Sequence, residues 1–541
     1  MPHLKSPIGS SMRHALACLL LSAMAIAGVW AWLGSPVPLP GSQSGAEKLY
    51  CVSYTPFRGA QTPLDPSTMI PAYQIEDDLA RLAKITDCVR TYSVDFGLDQ
   101  IAAIAARHGL TVMQGLWLSS SPAKNQYQID TAVALANKYP GTIRSVVVGN
   151  EVLLRGDMTA TDLANTIRGI KARVKVPVTY ADVWEFWLRN PEIANVVDFI
   201  TIHILPYWED FPVSARNAVA HVEGIRQQVV SAFPGKEVLI GEVGWPSAGR
   251  MREAALPSPV NQARVIEGVL ALSKRENFHV NVIEAFDQPW KRALEGTVGG
   301  HWGLLKAATR APKFAGALAI SNHPFWFWQG ASGIAFAAIV FGAAILLRTK
   351  DTPLSLWLAV SVNAVVGGSL VGWTIENIPI ESLGFGGWSR SMALAAVAIA
   401  APPVLSVAIM RGISVPSFTL LLGPKNERTS DPIAQAVGAI SVALLLLAFV
   451  VALGLVFDPR YRDFPFAPLT AAVVPFLMHK LTVARPNGPR SAAETAAAGV
   501  IVLSVCYIVI NEGFANWQSL WTCAALAAFA INLALVRDAR G

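Results

Sequence analysis

Residues 143–151 of the chain read IRSVVVGNE, and residues 238–246 read VLIGEVGWP. In each stretch a short run of apolar, mostly β-branched residues ends in a turn that carries one carboxylate, Glu151 in the first and Glu242 in the second. A continuous apolar run bounded by turn residues is typical of a strand that is buried on both faces. Such strands occur in parallel sheets, so the two stretches favour an α/β architecture.

Six further runs of the same kind surround these two, and helical patterns separate them. Ile75–Ile85 and Ala215–Phe233 are amphipathic, and Leu98–His108 is followed by Gly109, where a helix C-terminus prefers glycine. Eight alternations of strand and helix in about 275 residues predict a closed (β/α)8 barrel, the TIM barrel. A doubly wound open sheet is the alternative, but no glycine-rich phosphate loop follows the first predicted strand. The predicted strands are Leu49–Tyr54, Cys88–Ser93, Thr111–Leu116, Ile143–Gly149, Val176–Tyr180, Phe199–His203, Val238–Gly241 and Val280–Glu284.

The composition predicts a membrane domain in addition to the barrel. Of the 541 residues, 53% are hydrophobic and only 15% are charged, and the mean hydropathy is +0.42. Soluble proteins have nearer a quarter of their residues charged, so the apolar excess is expected in membrane spans. The net charge of +6 comes from 43 basic and 37 acidic residues. The basic residues lie in short loops rather than in one stripe, which argues against a nucleic-acid partner.

Hydropathy divides the chain into three parts. Residues 1–45 hold an apolar run, Ala15–Leu33, and a Pro/Gly/Ser linker; the run is a signal peptide or a retained anchor, and its length favours the anchor. Residues 46–322 carry charges throughout and contain the predicted barrel. Residues 323–541 are predicted as an all-helical membrane domain of about seven spans. Those spans, of which the fifth and sixth are short, are Trp328–Leu347, Leu354–Ile375, Met392–Met410, Ile433–Val456, Phe466–Met478, Ala496–Ile510 and Trp517–Val536.

The loops between the spans predict the orientation of the chain. With a cytoplasmic N-terminus, the short loops on the far side hold only Arg390, Arg460 and Arg462. The cytoplasmic side is richer in basic residues, as the positive-inside rule requires, and the barrel is then outside the cytoplasm. The basic residues assigned to the cytoplasmic loops are Arg348, Lys350, Arg411, Lys425, Arg428, Lys480, Arg485, Arg490, Arg537 and Arg540.

Cys51 and Cys88 each open a predicted strand of the barrel. They can form a disulfide if the barrel is exported, because oxidising compartments permit one. Two unpaired, buried thiols on neighbouring strands fit the sequence equally well.

The two carboxylates indicate a chemistry. In a parallel barrel the functional residues lie at the carboxyl ends of the strands, so Glu151 and Glu242 are expected at the same mouth. Retaining glycosidases use one carboxylic acid to protonate the leaving oxygen and a second carboxylate to attack the anomeric carbon. The acid must carry a proton near neutral pH, so its pKa is expected above the free value of about 4.3.

Several motifs resemble glycoside hydrolase family 17 of clan A. They are Val148–Val152, Ile240–Ser247, and Ala285–Lys291 leading to His301–Leu304. This family contains plant β-1,3-glucanases and fungal and bacterial β-1,3-glucanosyltransferases, and the resemblance covers the predicted barrel but not the spans. It implies that Glu151 is the acid/base and Glu242 the nucleophile of a retaining mechanism.

The resemblance also implies a set of substrate-binding positions. Asn150 is expected to hold the sugar 2-hydroxyl, and Tyr207 to donate a hydrogen bond to Glu242. His203 stands where plant members more often carry Asn, so its role stays open.

The residues themselves add further candidates. Glu284 and Asp287, at the end of the eighth predicted strand, are candidates to bind sugar hydroxyls or to shift the pKa of Glu151, with Glu284 preferred. Trp245, Trp290 and Trp302 lie on predicted loops at the barrel mouth, where flat pyranose faces are expected to stack on their rings. The full set is Asn150, Arg90, Tyr92, Tyr207, Trp245, Glu284, Trp290, Lys291 and Trp302.

The architecture is similar to bacterial membrane proteins that assist periplasmic β-(1,3),(1,6)-glucan synthesis. We therefore expect an inner-membrane, multi-pass β-1,3-glucan glucanosyltransferase that elongates, branches through β-1,6 bonds or cyclises glucan in the periplasm. The expected partners are β-glucan donor and acceptor, the lipid bilayer and a membrane glucan synthase. A β-1,3-glucan hydrolase is the first alternative, and a glucan-binding transporter or synthase partner is an alternative of another class. No cofactor or metal is expected, because the mechanism needs none and the histidines lack ligand spacing.

Overall fold

The computed structural model describes residues 10–39, 48–314, 317–348, 351–424, 428–484 and 487–538. Lys5, part of the linker and the loop residues Lys350, Lys425, Arg485 and Arg540 lie outside these ranges. The chain divides into two compact units, residues 37–320 and the remainder.

The first unit is the predicted barrel. Eight strands close on themselves, and every neighbouring pair is parallel. All eight predicted strands are found, with ends that differ by a few residues. The strands are β1 (Cys51–Ser53), β2 (Cys88–Arg90), β3 (Thr111–Leu116), β4 (Ile143–Asn150), β5 (Val178–Val183), β6 (Ile200–His203), β7 (Val238–Val243) and β8 (Val280–Val282).

Helices cover the outside of the barrel through amphipathic faces. In Ala72–Leu82, for example, Ile75, Leu79 and Leu82 are fully buried against the sheet. A short antiparallel pair, Val37–Pro38 with Ala319–Ile320, joins the two ends of this unit. The larger helices after successive strands are Ala72–Leu82, Ile101–Arg107, Pro122–Lys138, Ala160–Lys171, Trp184–Arg189, Ala218–Ala232 and Pro259–Glu276.

The strands of the barrel share a compact cluster of buried apolar side chains. Cys51 and Cys88 form a disulfide between β1 and β2. Both are buried, and they share one apolar cluster with Met113, Val147 and Leu239. This decides the alternative that the sequence left open.

The second unit is a bundle of apolar helices. Seven helices of the described residues are long and apolar enough to cross a membrane, and Phe466–Thr482 is a shorter apolar helix of 17 residues. The predicted sixth span is longer than expected, because Ala492–Glu512 has 21 residues. Small residues allow close packing: a Cβ placed on Gly333 would lie 2.2 Å from the backbone oxygen of Gly368. The long helices are Ser10–Leu33, Trp326–Leu346, Leu354–Glu381, Gly384–Arg411, Pro432–Phe457, Ala492–Glu512 and Trp517–Ala534.

Candidate active site

The barrel brings Glu151 and Glu242 together at its carboxyl end. Glu242 lies within β7, and Glu151 follows β4 directly, where its backbone turns to a φ of 52°. The amide of Glu151 donates to the carbonyl of Ala181 on β5 at 2.8 Å, which fixes this turn. One carboxylate oxygen of each glutamate and a ring nitrogen of His203 all lie within 4.8 Å of one another.

Arg90, at the end of β2, fixes the nucleophile candidate. Its side chain is fully buried, and Nη1 lies 3.2 Å from Oε1 of Glu242 and donates to the carbonyl of Gly241 at 2.7 Å. Nη2 donates to Oδ1 of Asn150 at 2.5 Å. The guanidinium therefore connects β2 with β7 and with the residue that precedes Glu151. The structure places Arg90 and Asn150 in the predicted site.

The tyrosine that contacts Glu242 is Tyr92, so the expectation for Tyr207 was wrong. The hydroxyl of Tyr92 donates to Oε1 of Glu242 at 2.7 Å and lies 2.7 Å from Oγ of Ser53. The hydroxyl of Tyr207 donates instead to the carbonyl of Arg250 at 2.7 Å, because the loop after β6 carries it away from β7. Tyr92 stands two residues beyond Arg90 and shares its orientation.

His203 bridges the two carboxylates, and its contacts define its protonation. Its Nε2 lies 3.2 Å from Nη1 of Arg90, which can only donate, so Nε2 must accept. The proton of the neutral ring is then on Nδ1, which donates to Oε1 of Glu151 at 2.8 Å. His203 is thus more than a buried core residue, because it contacts both Arg90 and Glu151. Its place at the end of β6, level with Glu242, was the available signal.

The pKa of Glu151 is shifted in the direction opposite to the one expected for a general acid. Burial raises this pKa, but the hydrogen bond from His203 opposes it and, together with the charge of Arg90, holds the pKa below its ordinary value. The expectation of a raised pKa in the free protein was therefore wrong. The hydrogen bond from Nδ1 favours the ionised carboxylate, and an acid form requires a proton to be added to the Glu151–His203 pair.

Glu151, His203 and Glu242 have the donor types of a metal site. The cation among these side chains is the guanidinium of Arg90, which contacts both Nε2 of His203 and Oε1 of Glu242 at 3.2 Å. This placement fits an anion-stabilising site better than a metal site, because a metal at the same three atoms would face a fixed positive charge.

Beyond β8 a second pair of charges lies beside the carboxylates. Glu284 is buried and accepts from Lys291 Nζ and from Thr55 Oγ1, both at 3.1 Å. Burial raises the pKa of Glu284 to about 7, although the ammonium of Lys291 opposes the shift. Burial also raises the pKa of Glu295, which lies in the fields of Lys291, Glu151 and Glu242. Sequence reasoning missed Glu295, because it belongs to a short helix after β8 rather than to a strand end.

Asp287 forms a separate ion pair with Lys313. Its Oδ1 accepts from Lys313 Nζ at 2.7 Å and from the amide of Gly303 at 3.0 Å. These contacts close the loop after β8, so the structure gives Asp287 a bracing position.

Two of the three predicted sugar-stacking tryptophans are buried, and that expectation was wrong for them. Trp245 is 0% exposed and donates through Nε1 to the carbonyl of Leu256 at 3.1 Å. Trp302 is 2% exposed and packs against Trp208 with nearly parallel rings, 6.4 Å between centroids. Neither presents a ring face to a ligand. Trp290 is partly exposed, and its Nε1 is fixed by Gln288 at 2.9 Å.

A (β/α)8 barrel with two close carboxylates at the carboxyl ends of its fourth and seventh strands has the form of a clan A glycoside hydrolase. Residues 51–303 match the family model of the BtgE/BtgC glycoside hydrolase domain. This part of the chain is therefore a glycoside hydrolase domain of family 17.

Three fungal proteins are similar to the chain. The glucan 1,3-beta-glucosidase of Candida albicans is 28% identical over 267 residues, which cover 44% of this chain and 85% of that protein. Its namesake in Saccharomyces cerevisiae is 26% identical over 261 residues, which cover 43% and 82%. The crystal structure of a family 17 beta-1,3-glucanosyltransferase from Rhizomucor miehei has 28% sequence identity and a TM-score of 0.44, covering 50% of this chain and 97% of that one.

Proposed function

We propose that the protein is a retaining β-1,3-glucan glucanosyltransferase that acts outside the cytoplasm of a bacterial cell. The observation that carries the proposal is the approach of Glu151 and Glu242, since one carboxylate oxygen of each lies within 4.8 Å of the other. Retaining enzymes hold their carboxyl groups about 5–5.5 Å apart, whereas inverting enzymes leave room for a water at about 6.5–9.5 Å. The names of the relatives support β-1,3-glucan as the substrate class.

The first step forms a covalent glycosyl-enzyme. Oε of Glu242 attacks the anomeric carbon while Glu151 gives its proton to the glycosidic oxygen, so that the carbon–oxygen bond to the leaving chain breaks. Arg90 and Tyr92 contact Oε1 of Glu242 and keep the nucleophile oriented and anionic. Asn150, fixed by Arg90, is the proposed contact of the sugar 2-hydroxyl.

The second step decides between transfer and hydrolysis. Glu151, now a carboxylate, takes the proton of an incoming hydroxyl, whose oxygen bonds to the anomeric carbon and displaces Glu242. A sugar hydroxyl gives a longer, branched or cyclic glucan, and water gives hydrolysis. The lowered pKa of Glu151 suits the base that this step needs.

The cellular location is proposed from two features. The Cys51–Cys88 disulfide fits an oxidising compartment, and the loop charges support the same side of the membrane for the barrel. The first helix supports a retained anchor, because Ile26 and Trp30 are fully buried in one apolar cluster with residues of the later helices, such as Phe341 and Trp357. A tethered enzyme of this kind is suited to nascent β-glucan from a membrane synthase.

Transport is the competing function of another class. Two deep asparagines of the bundle donate hydrogen bonds within it: Asn363 donates to Ser406 at 3.0 Å, and Asn532 donates to the carbonyl of Ala528 at 2.9 Å. These contacts support a structural bundle. A transporter would keep its glucan flux in a Glu242→Gln variant, whereas the proposed enzyme loses its products.

Product analysis of the full-length protein in detergent tests the proposal. Linear β-1,3-gluco-oligosaccharides are incubated with wild type and with Glu242→Gln, and products are identified by mass spectrometry and linkage-sensitive NMR. We expect products longer than the substrate or carrying a new linkage, from wild type alone. Shorter products alone would establish a hydrolase, and an untouched substrate would show that the substrate class is wrong.

A further inference from the structure

One tryptophan at the mouth of the barrel differs from the buried ones in exposure. Trp117 is the first residue after β3, and 39% of its surface is exposed. Its backbone amide donates to Oε1 of the buried Gln128 at 3.0 Å, so the loop that carries it is fixed. An indole held rigidly with part of its ring in solvent has the form of a stacking surface for a flat ligand.

One side of the indole is covered by a guanidinium that is itself fixed. Arg155 Cζ lies 4.2 Å from the ring centroid of Trp117. Arg155 Nη2 donates to the carbonyl of Leu118 at 2.7 Å, and Nε lies 2.7 Å from Oδ2 of Asp157. Arg155 Nη1 also donates to the carbonyl of Asn150. The ring is thereby locked in one orientation, with little rotamer entropy left to lose on binding.

Arg155 connects this indole with Glu151, since its guanidinium covers the ring and its backbone amide bonds to the residue that carries the carboxylate. β3 pairs with β4 up to Leu116 and Val148, and the amide of Arg155 donates to the carbonyl of Glu151 at 2.9 Å. Glu151 protonates the glycosidic oxygen and later activates the acceptor hydroxyl, so the leaving and incoming chains must both lie on its side of the bond. Trp117 therefore lies on the acceptor side of the site.

We infer that Trp117 is the platform on which an acceptor glucose ring of a β-glucan stacks. Pyranose rings present an apolar face of C–H groups, and an exposed indole backed by a fixed cation offers a matching flat surface. By holding the acceptor while water is displaced, the platform favours transfer over hydrolysis. This inference rests on the proposed function.

The test uses full-length protein in detergent with β-laminaribiosyl fluoride as donor. Fluoride release without acceptor reports formation of the glycosyl-enzyme, because fluoride is too small to reach the platform. The ratio of transfer to hydrolysis is then measured against the concentration of a linear β-1,3-gluco-oligosaccharide acceptor. We expect Trp117→Ala to raise the acceptor concentration for half-maximal transfer by about tenfold. Trp117→Phe, which keeps a flat ring, should recover most of the loss.

The matched control is Tyr127→Ala, since Tyr127 is 55% exposed and lies on the helix Pro122–Lys138. It should match wild type in acceptor dependence. An unchanged half-maximal concentration in Trp117→Ala would overturn the inference. So would a parallel loss of fluoride release and transfer, which would show that Trp117 only braces Arg155. A wild type that releases no fluoride would instead overturn the proposed function, and the inference with it.

Discussion

At the scale of single residues, Tyr92 and Tyr207 are expected to differ in their effect on activity, because the Tyr92 hydroxyl contacts Glu242 and the Tyr207 hydroxyl contacts the carbonyl of Arg250. Replacing Tyr92 by Phe removes a 2.7 Å hydrogen bond to Oε1 of Glu242. A hydrogen bond to a charged group contributes about 1.5–3 kcal/mol, so we expect kcat/KM to fall about 10- to 150-fold. Steady-state kinetics of fluoride release measures this loss.

Tyr207→Phe is the control for this prediction. Its hydroxyl contacts the carbonyl of Arg250, away from Glu242. The variant should lose stability rather than show a comparable fall in kcat/KM. Equal kinetic losses in the two variants would contradict the assignment of Tyr92.

His203 makes the pH dependence a second test at this scale. The acid step needs protonated Glu151, so its rate is present below the pKa of Glu151 and is lost as pH rises through it. His203 lowers that pKa against the effect of burial. In His203→Leu the effect of burial on the Glu151 pKa is no longer opposed by this hydrogen bond. The alkaline limb of kcat/KM for a linear β-1,3-gluco-oligosaccharide should therefore move to higher pH.

The pH profile is compared with that of His221→Leu. His221 lies on the helix Ala218–Ala232, where it pairs with Glu209 at 3.1 Å. Its profile should match wild type. An alkaline limb that stays in place, or moves to lower pH, in His203→Leu would rule out the proposed coupling.

Which side chains would meet at this site was predictable only in part. Glu151 and Glu242 were identified because each follows a buried apolar run, and parallel strands of a barrel end at one mouth. Arg90 was identified through the family resemblance. The partner of Glu242 was misassigned, because a tyrosine in a loop can turn either way and sequence does not show which. Trp245 was misjudged for a related reason, since an aromatic residue near a site serves equally well as core.

At the scale of elements, the disulfide between β1 and β2 should stabilise the barrel. It joins residues 37 apart, and a closed loop of this length contributes about 3–4 kcal/mol in the chain-entropy description. We expect the double variant Cys51→Ala, Cys88→Ala to lose roughly that free energy of unfolding. The denaturant midpoint of tryptophan fluorescence measures the loss in full-length protein.

Wild type treated with reductant should approach the double variant. Cys506→Ala is the matched control, because Cys506 is a free, exposed thiol. If reductant left the wild-type midpoint in place, the two cysteines would not be paired in the folded protein.

The strands were predictable more closely than the helices of the second unit. Buried strands can be recognised in a sequence because they are continuous β-branched runs that end sharply at turn residues. Spans lack such ends, because apolar residues continue to the membrane surface. The sixth predicted span, Ala496–Ile510, extends in the structure to Ala492–Glu512, so the helix includes Glu494 and Glu512 near its two ends.

At the scale of the whole molecule, Phe466–Thr482 decides on which side the chain leaves the bundle. With 17 residues, this helix is about 26 Å long, slightly less than the apolar thickness of about 30 Å. Its last turn carries two basic residues, His479 and Lys480. If the helix crosses, the bundle has eight crossings and its last helix ends on the side where the first begins. If it does not cross, the chain ends on the opposite side.

The loop charges favour the crossing. Arg485 and Arg490 follow the short helix, and Arg460 and Arg462 precede it. If the helix crosses, Arg485 and Arg490 lie in the cytoplasm, as the positive-inside rule prefers. The basic residues Arg411 and Arg428 then lie on the same side. We therefore expect green fluorescent protein fused after residue 538 to fluoresce in cells, and alkaline phosphatase at the same place to be inactive. The same reporters fused after residue 36, in place of the barrel, should give the reverse. An active phosphatase after residue 538 would show that Phe466–Thr482 enters the membrane without crossing it, and the bundle would then have seven crossings.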